Sequence, residues 1–107
     1  MIIKVPKTIK AGGHTYTILF STELNDRNEW GATNHRTQII EINMTRPVSQ
    51  VATSLIHEVL HCVNHVYYGS QLEVRGIEQF SEGLYQILEQ LGIELDWCDI
   101  STLEAPE

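Results

Sequence analysis

Hydrophobic and polar positions follow two different periods in the two halves of the chain. Over residues 8–20, β-branched and aromatic residues flank a Gly-Gly pair, a pattern typical of a β-hairpin. A second hairpin is predicted where residues 30–33 and 37–43 flank a polar turn. The first half therefore predicts a short antiparallel β-sheet made of two hairpins.

The second half carries the spacing of amphipathic helices. Apolar residues recur at helical intervals from Val48 to Val66, and Gly69 is expected to end this helix. The segment Ser70–Glu73 has the S-x-x-E form of a capping box and predicts the start of a second helix, which stops at Gly92. The short connection makes the two helices antiparallel neighbours. Together, the two halves predict an α+β fold in which the sheet packs on both helices.

Length and composition limit the organisation of the chain. Its 107 residues, 42% of them hydrophobic, suit one domain with a small core. We predict a single domain over 1–107, with its core at about 5–97 and a tail at 98–107, of which 101–107 is expected to be frayed. A chain of this size has no room for a second lobe, so any site is expected in a shallow groove.

Charge and segment composition exclude several classes of partner. The formal net charge of -7 argues against nucleic acid, whose binders usually carry a basic face, and against anionic membrane surfaces. The N-terminal segment lacks the apolar run of a signal peptide, and no stretch approaches the ~18 apolar residues of a membrane span. Cys62 and Cys98 have no CxxC spacing and are expected to be reduced thiols. These features predict a cytoplasmic protein.

The sequence HEVLH at residues 57–61 is the strongest chemical signal. On a helix, His57 and His61 lie on one face, about 6 Å apart along the axis, and can point at one ion. Glu58 is one residue further round, where a carboxylate can act on a water as general base. This pattern predicts two zinc ligands and a base. The alternative is a pair of histidines that reach the surface from a core helix.

A catalytic zinc site needs a third protein ligand. His65 is too far along the helix to share an ion with His57, roughly 12 Å away. Reflection about the predicted turn between the helices places Glu78 opposite His61 and Glu82 opposite His57, and so selects one of these two glutamates. We take Glu78 as the ligand and Glu82 as the carboxylate that accepts the free N–H of His57. Ordinary solvated carboxylates are the alternative for both.

HEVLH followed by a helix with two glutamates four apart resembles the gluzincin class of zinc metallopeptidases. The chain also resembles, over roughly residues 5–91, the small HExxH proteins of phages and prophages, distant relatives of the ImmA/IrrE and SprT-like groups. This resemblance implies a minimal zincin-like domain. The roles that it implies fall on His57, His61 and Glu78 as zinc ligands, Glu58 as general base and Glu82 behind a ligand histidine.

The resemblance further implies hydrolysis of a peptide bond in a peptide or protein substrate. In zincins the strand before the active-site helix lines the substrate groove, which here predicts an edge strand at 38–44 that pairs with an extended peptide. An edge strand that only completes the core is the alternative. Hydrolysis also needs a donor for the developing oxyanion, and the sequence does not choose among four residues. These are His35, His65, Tyr67 and Tyr68.

The function predicted from the sequence is that of a small zinc-dependent metallopeptidase. One alternative is a catalytically weak or inactive metal-stabilised binding or accessory protein, of the kind that phages encode. Another is a structural domain in which zinc only ties the two helices together. Glu58 favours the enzyme, because a structural site has no use for a base between its ligands. The sequence gives no indication of the oligomeric state.

Overall fold

Short strands in the first half and at the end of the chain surround two long helices. The computed structural model describes residues 1–103 and confirms an α+β fold. A 3-10 helix at Glu23–Asn25 follows the third strand. The strands and helices are β1 (Ile2–Lys4), β2 (Thr8–Ala11), β3 (His14–Ser21), β4 (Gly31–Asn34), β5 (Ile39–Ile42), α1 (Val48–Tyr68), α2 (Val74–Gln90), β6 (Glu94–Asp96) and β7 (Thr102–Leu103).

The main sheet is mixed, with strand order β2-β3-β5-β4 and β7 beside β3. β2 pairs with β3, and β4 with β5, in antiparallel fashion, whereas β3 and β5 are parallel. β1 and β6 form a separate parallel pair. The prediction of a purely antiparallel sheet is therefore not confirmed. The physical reason is that the chain passes from β3 to the outer position of the sheet, where it forms β4, and then turns back. β5 therefore fills the place between β4 and β3 and runs in the same direction as β3.

This strand order also corrects the predicted edge strand. The segment 38–44 contains β5, which lies between β3 and β4 and has neighbours on both sides. β4 is instead an outer strand of the sheet in the described part of the chain. β4 also packs on α1, so this outer strand lies beside the helix that carries HEVLH.

The core forms where alternate residues of β3 and β5 meet one face of α1. A strand directs every second side chain to the same side, so this face is apolar while the other is partly polar. On α1 the apolar face follows the helical period. The buried cluster consists of Val5, Tyr16, Ile18, Phe20, Ile40, Ile42, Val51, Cys62 and Ile100.

Asn64 determines how α2 follows α1. Gly69 ends α1 in the left-handed conformation, with φ of 58°, as expected from its lack of a Cβ. The capping box predicted at Ser70–Glu73 does not form, because Glu73 precedes α2 without a side-chain cap. Instead, the buried Asn64 side chain accepts a 2.9 Å hydrogen bond from Leu72 N–H and donates a 3.3 Å hydrogen bond to Leu72 C=O.

The C-terminal segment takes part in the fold beyond the predicted core boundary at residue 97. Ile100 is buried in the main core, and Thr102–Leu103 pairs with the end of β3. Residues 104–107 of the predicted frayed end lie outside the described residues. Between residues 1 and 103, neither helix has the length and apolar character needed to cross a membrane.

Candidate metal centre

His57 and His61 converge on one point at the middle of α1. Their Nε2 atoms are 2.9 Å apart, and their ring centroids are separated by 4.5 Å. This is the consequence of a four-residue spacing on a helix, which stacks side chains on successive turns. Two nitrogens bound to a tetrahedral zinc ion lie about 3.3 Å apart. The pair therefore has to open by only a few tenths of an ångström to suit zinc.

Glu58 is a buried carboxylate beside this pair, with only 4% of the residue exposed. The Thr33 hydroxyl donates a 2.8 Å hydrogen bond to its Oε1, and its Oε2 lies 3.5 Å from His57 Nδ1. Burial is the largest cause that raises the pKa of Glu58, and the Thr33 hydrogen bond opposes this effect in part. A carboxylate with a raised pKa is suited to take up a proton near neutral pH.

Strand β4 brings this support to Glu58. Alternation along the strand directs Gly31 and Thr33 towards the same side. A Cβ at Gly31 would lie 3.2 Å from Glu58 Cγ and Oε2 and from the Glu41 carbonyl oxygen. Glycine thus permits the close approach of strand and helix. Neither Gly31 nor Thr33 was predicted from the sequence as a site residue, although their alternate positions along one strand were a usable signal.

Glu78 and Glu82 lie on α2 and face the same cavity as His57. The cavity has a volume of about 270 Å³. Its lining also includes Glu29, Trp30, Gly31, Thr53, Ser54 and Ser81. Glu82 lines this cavity together with Thr53, and Leu72 is hydrogen-bonded to Asn64, so α2 runs back along α1. The antiparallel helix pair therefore brings the two glutamates to the cavity that His57 lines.

Burial favours the neutral form of both histidines. It is the largest cause that lowers the pKa of His57 and of His61. The negative charges of Glu78 and Glu82 act in the opposite direction on His57, and Glu58 and Glu78 do so on His61, without overcoming burial. Neutral imidazole is the form that binds a metal.

The complete predicted ligand set is not drawn together at coordination distance. Across the described range 1–103, no group of three or more His, Cys, Asp or Glu side chains is arranged to hold a metal ion. The structure brings together His57, His61 and Glu58, and it places Glu78 and Glu82 across the cavity. Glu78 as third ligand and Glu82 as partner of His57 remain predictions. The donor types available, two imidazoles and a carboxylate, are those of catalytic zinc sites.

His65 and Cys62 lie near the pair but are oriented elsewhere. The His65 ring stacks on His35, with centroids 3.9 Å apart and ring planes at 9°. Its Nδ1 lies 3.3 Å from the Ser70 hydroxyl. Cys62 is fully buried in the core, where burial raises the pKa of its thiol to about 11. Cys62 and Cys98 are both free thiols.

Comparisons of the chain with protein-family models, with curated proteins and with solved structures found no match. The resemblance to gluzincins therefore rests on HEVLH and on the two glutamates of α2. What the site does has to be argued from its own geometry and chemistry.

Proposed function

We propose that this protein is a small zinc-dependent metallopeptidase with a minimal zincin-like fold. The observation that carries the proposal is the position of Glu58. Its buried carboxylate is held by Thr33 directly beside two convergent, neutral imidazoles. Burying a carboxylate is costly, and a purely structural metal site has no use for one that is not a ligand. This position suits a general base.

The side chains that would hold zinc are His57, His61 and Glu78. Glu82, which lines the same cavity as His57, would accept the free N–H of that ligand. When bound, zinc supplies Lewis acidity, which acidifies water and polarises a carbonyl oxygen. The protein's part is to present neutral imidazoles on one face of a rigid helix, supported by the core below it.

Glu58 would move the proton during hydrolysis. It takes the proton from the attacking water as the C–O bond forms and the carbonyl becomes a tetrahedral oxyanion. It then delivers this proton to the nitrogen of the leaving amine, and the peptide C–N bond breaks as the carbonyl re-forms. Thr33 keeps one carboxylate oxygen in place through its hydrogen bond. Gly31 leaves the other oxygen free of a neighbouring side chain on the strand.

Strand β4 offers the place for an extended substrate. It is an outer strand of the main sheet, and its first residue, Gly31, lines the cavity shared with His57 and Glu78. A peptide that pairs with this edge by β-augmentation would run past the histidine pair. The substrate class we propose is therefore a peptide or an unfolded protein segment.

A binding protein that holds a metal but cleaves nothing is the second candidate. The observation that favours it is an apolar groove of about 420 Å³ between α1 and α2, which could hold a partner. Phe80 at this groove is 62% exposed, and Leu72 is 45% exposed. Exposed apolar patches often mark protein interaction sites. The groove is lined by Leu60, Val63, Tyr68, Leu72, Glu73, Gly76, Ile77 and Phe80.

Metal content tests the proposal first. Plasma mass spectrometry would measure zinc in the wild type, His57→Ala, Glu78→Ala and Glu82→Ala, purified without a metal-binding tag. About one zinc per chain is expected in the wild type, with loss in His57→Ala and Glu78→Ala and only weakening in Glu82→Ala. A wild type that cannot be loaded with zinc would overturn the metallopeptidase proposal.

A peptide-cleavage assay then separates the two candidate functions. Zinc-loaded wild type and Glu58→Gln would be incubated with a mixture of unstructured peptides, and the products identified by mass spectrometry. Cleavage by the wild type and not by Glu58→Gln supports the enzyme. Equal zinc content in both proteins with no cleavage by either would support the binding protein.

A further inference from the structure

Peptide hydrolysis at the proposed site also needs a hydrogen-bond donor for the oxyanion, and the structure separates the four candidates. The Tyr67 hydroxyl already accepts a 2.8 Å hydrogen bond from Gly12 N–H at the β2–β3 turn. Tyr68 lines the apolar groove between the helices. His65 is exposed and lies one helical turn beyond His61. Tyr67 and Tyr68 are therefore committed away from the histidine pair, and the Nδ1 atom of His65 lies 3.3 Å from the Ser70 hydroxyl.

His35 is the remaining candidate, and the fold places it beside the site. It is the first residue after β4, at the turn that leads into β5. Its ring stacks on His65 with centroids 3.9 Å apart, and His65 lies one helical turn from His61 on α1. Burial lowers the pKa of His35, and the charges of His65 and His61 lower it further.

The buried Tyr16 hydroxyl decides the state of the His35 ring. It lies 3.0 Å from His35 Nδ1, and Tyr16 is only 1% exposed. Burial raises the pKa of Tyr16, so the hydroxyl keeps its proton. Within residues 1–103 no other side-chain hydrogen bond involves this hydroxyl. Donation from Tyr16 to Nδ1 therefore uses the hydroxyl proton, whereas the opposite direction would leave this proton without a protein acceptor among the described residues.

We propose that Tyr16 fixes His35 as the Nε2–H tautomer, and that this N–H is the donor that stabilises the oxyanion during peptide hydrolysis. The inference rests on the proposed function. A ring that accepts at Nδ1 carries its proton at Nε2, on the side directed away from the core strand that bears Tyr16. His35 donates a hydrogen bond and transfers no proton. Tyr16 is a positioning residue that acts through His35.

The second cavity supports this assignment. It has a volume of about 190 Å³ and combines the His35–His65 stack with Gln38 and His14, whose side chains are 3.3 Å apart. Tyr16 also lines it. The His35 ring therefore borders an accessible space that a carbonyl group of an extended substrate could enter.

The tautomer can be measured without any substrate. Nitrogen-15 NMR of histidine-labelled, metal-free protein at pH 7.5, with His35→Gln used to assign the signals, distinguishes protonated from unprotonated ring nitrogens. We expect His35 to carry its proton at Nε2 in the wild type and to become a mixture of tautomers in Tyr16→Phe. Tyr67→Phe is the matched control and should leave the His35 signals unchanged. A wild-type His35 protonated at Nδ1 would overturn the inference.

Kinetics test the role of the donor. With a peptide cleaved by the zinc-loaded wild type, His35→Ala should lower kcat by roughly 10²–10³-fold, as removal of one oxyanion donor does, while KM changes little. Tyr16→Phe should lower kcat by a smaller factor, about tenfold, because the tautomer is only partly lost. His35→Gln keeps an N–H donor and should recover part of the rate. Tyr67→Phe should match the wild type.

Failure of this inference differs from failure of the proposed function. An active wild type whose kcat is retained in His35→Ala would overturn the donor role and leave the metallopeptidase intact. A wild type that binds no zinc and shows no Glu58-dependent cleavage would overturn both the function and the catalytic role of His35. The tautomer measurement would still show whether Tyr16 fixes the tautomer of His35.

Discussion

The Thr33 hydroxyl donates a 2.8 Å hydrogen bond to Glu58 Oε1 and so joins the outer strand β4 to the middle of α1. The carboxylate that it holds is buried, and burial raises its pKa above the ordinary value of 4.5. Folding therefore tolerates an unfavourable charge at this position. The same charge is what the proposed reaction needs, so we interpret the cost to stability as a requirement of the site.

This cost predicts the pH dependence of the metal-free protein. Because the pKa of Glu58 is higher in the folded state, that state binds more protons, and stability falls as the pH rises from about 4.5 through the folded pKa. We expect Glu58→Gln to be more stable than the wild type at pH 7, with the difference vanishing near pH 4. Urea unfolding of both proteins in the presence of a chelator, from pH 4 to pH 8, measures this difference in stability.

Glu82→Gln is the matched control for this experiment, because it makes the same change of charge at an exposed side chain of the same cavity. It should not reproduce the stabilisation at pH 7. If Glu58→Gln is less stable than the wild type at pH 7, burial of the charge does not dominate at this position.

Two glycines predict opposite effects of the same substitution. Gly31→Ala places a Cβ 3.2 Å from both Glu58 and the Glu41 carbonyl oxygen, so we expect a loss of about 1–2 kcal/mol and a displaced carboxylate. Gly83→Ala lies within α2 with nothing within 4 Å, and should stabilise the protein by about 0.5–1 kcal/mol. Urea unfolding of both variants checks the signs, and a neutral Gly31→Ala would contradict the close packing of β4 on α1.

Asn64 contributes more to the stability of the folded protein than its place within a helix suggests. Asn64→Ala removes both hydrogen bonds to Leu72 and leaves that backbone without its buried partner. We expect a loss of roughly 2 kcal/mol, equivalent to a fall in Tm of about 10 °C for a domain of this size. Gln71→Ala, at an exposed position of the same connection, should change Tm by no more than a few degrees. Thermal unfolding followed by circular dichroism distinguishes the two.

The local features of this fold could be predicted from the sequence. The apolar period from Val48 onwards and Gly69 mark α1, because helix formation and its glycine end depend on neighbouring residues. The same period places His57 and His61 on one face, which the 2.9 Å separation of their Nε2 atoms reflects. The position of HEVLH on a helix could therefore be predicted from this apolar period.

Long-range pairing could not be predicted in the same way. From its sequence pattern, β5 could be an edge strand or an inner strand. It is an inner strand because β4 takes the outer position of the sheet. The sequence also suggested a Ser70–Glu73 capping box, whereas Asn64, eight residues before Leu72, satisfies the backbone instead. Thr33 and Tyr16 were missed because their partners are 25 and 19 residues away along the chain.

Zinc itself should stabilise the protein through the convergent pair. A ligand at 100 times its Kd that binds only the folded state adds about 2.7 kcal/mol, which corresponds to a rise in Tm of roughly 10–20 °C here. We expect this rise in the wild type and its loss in His61→Ala. His65→Ala is the matched control, since His65 lies four residues further along the same helix face but stacks on His35. Differential scanning calorimetry with and without zinc measures the shift, and a shift that survives in His61→Ala but disappears in His65→Ala would place the ion at the stacked histidines instead.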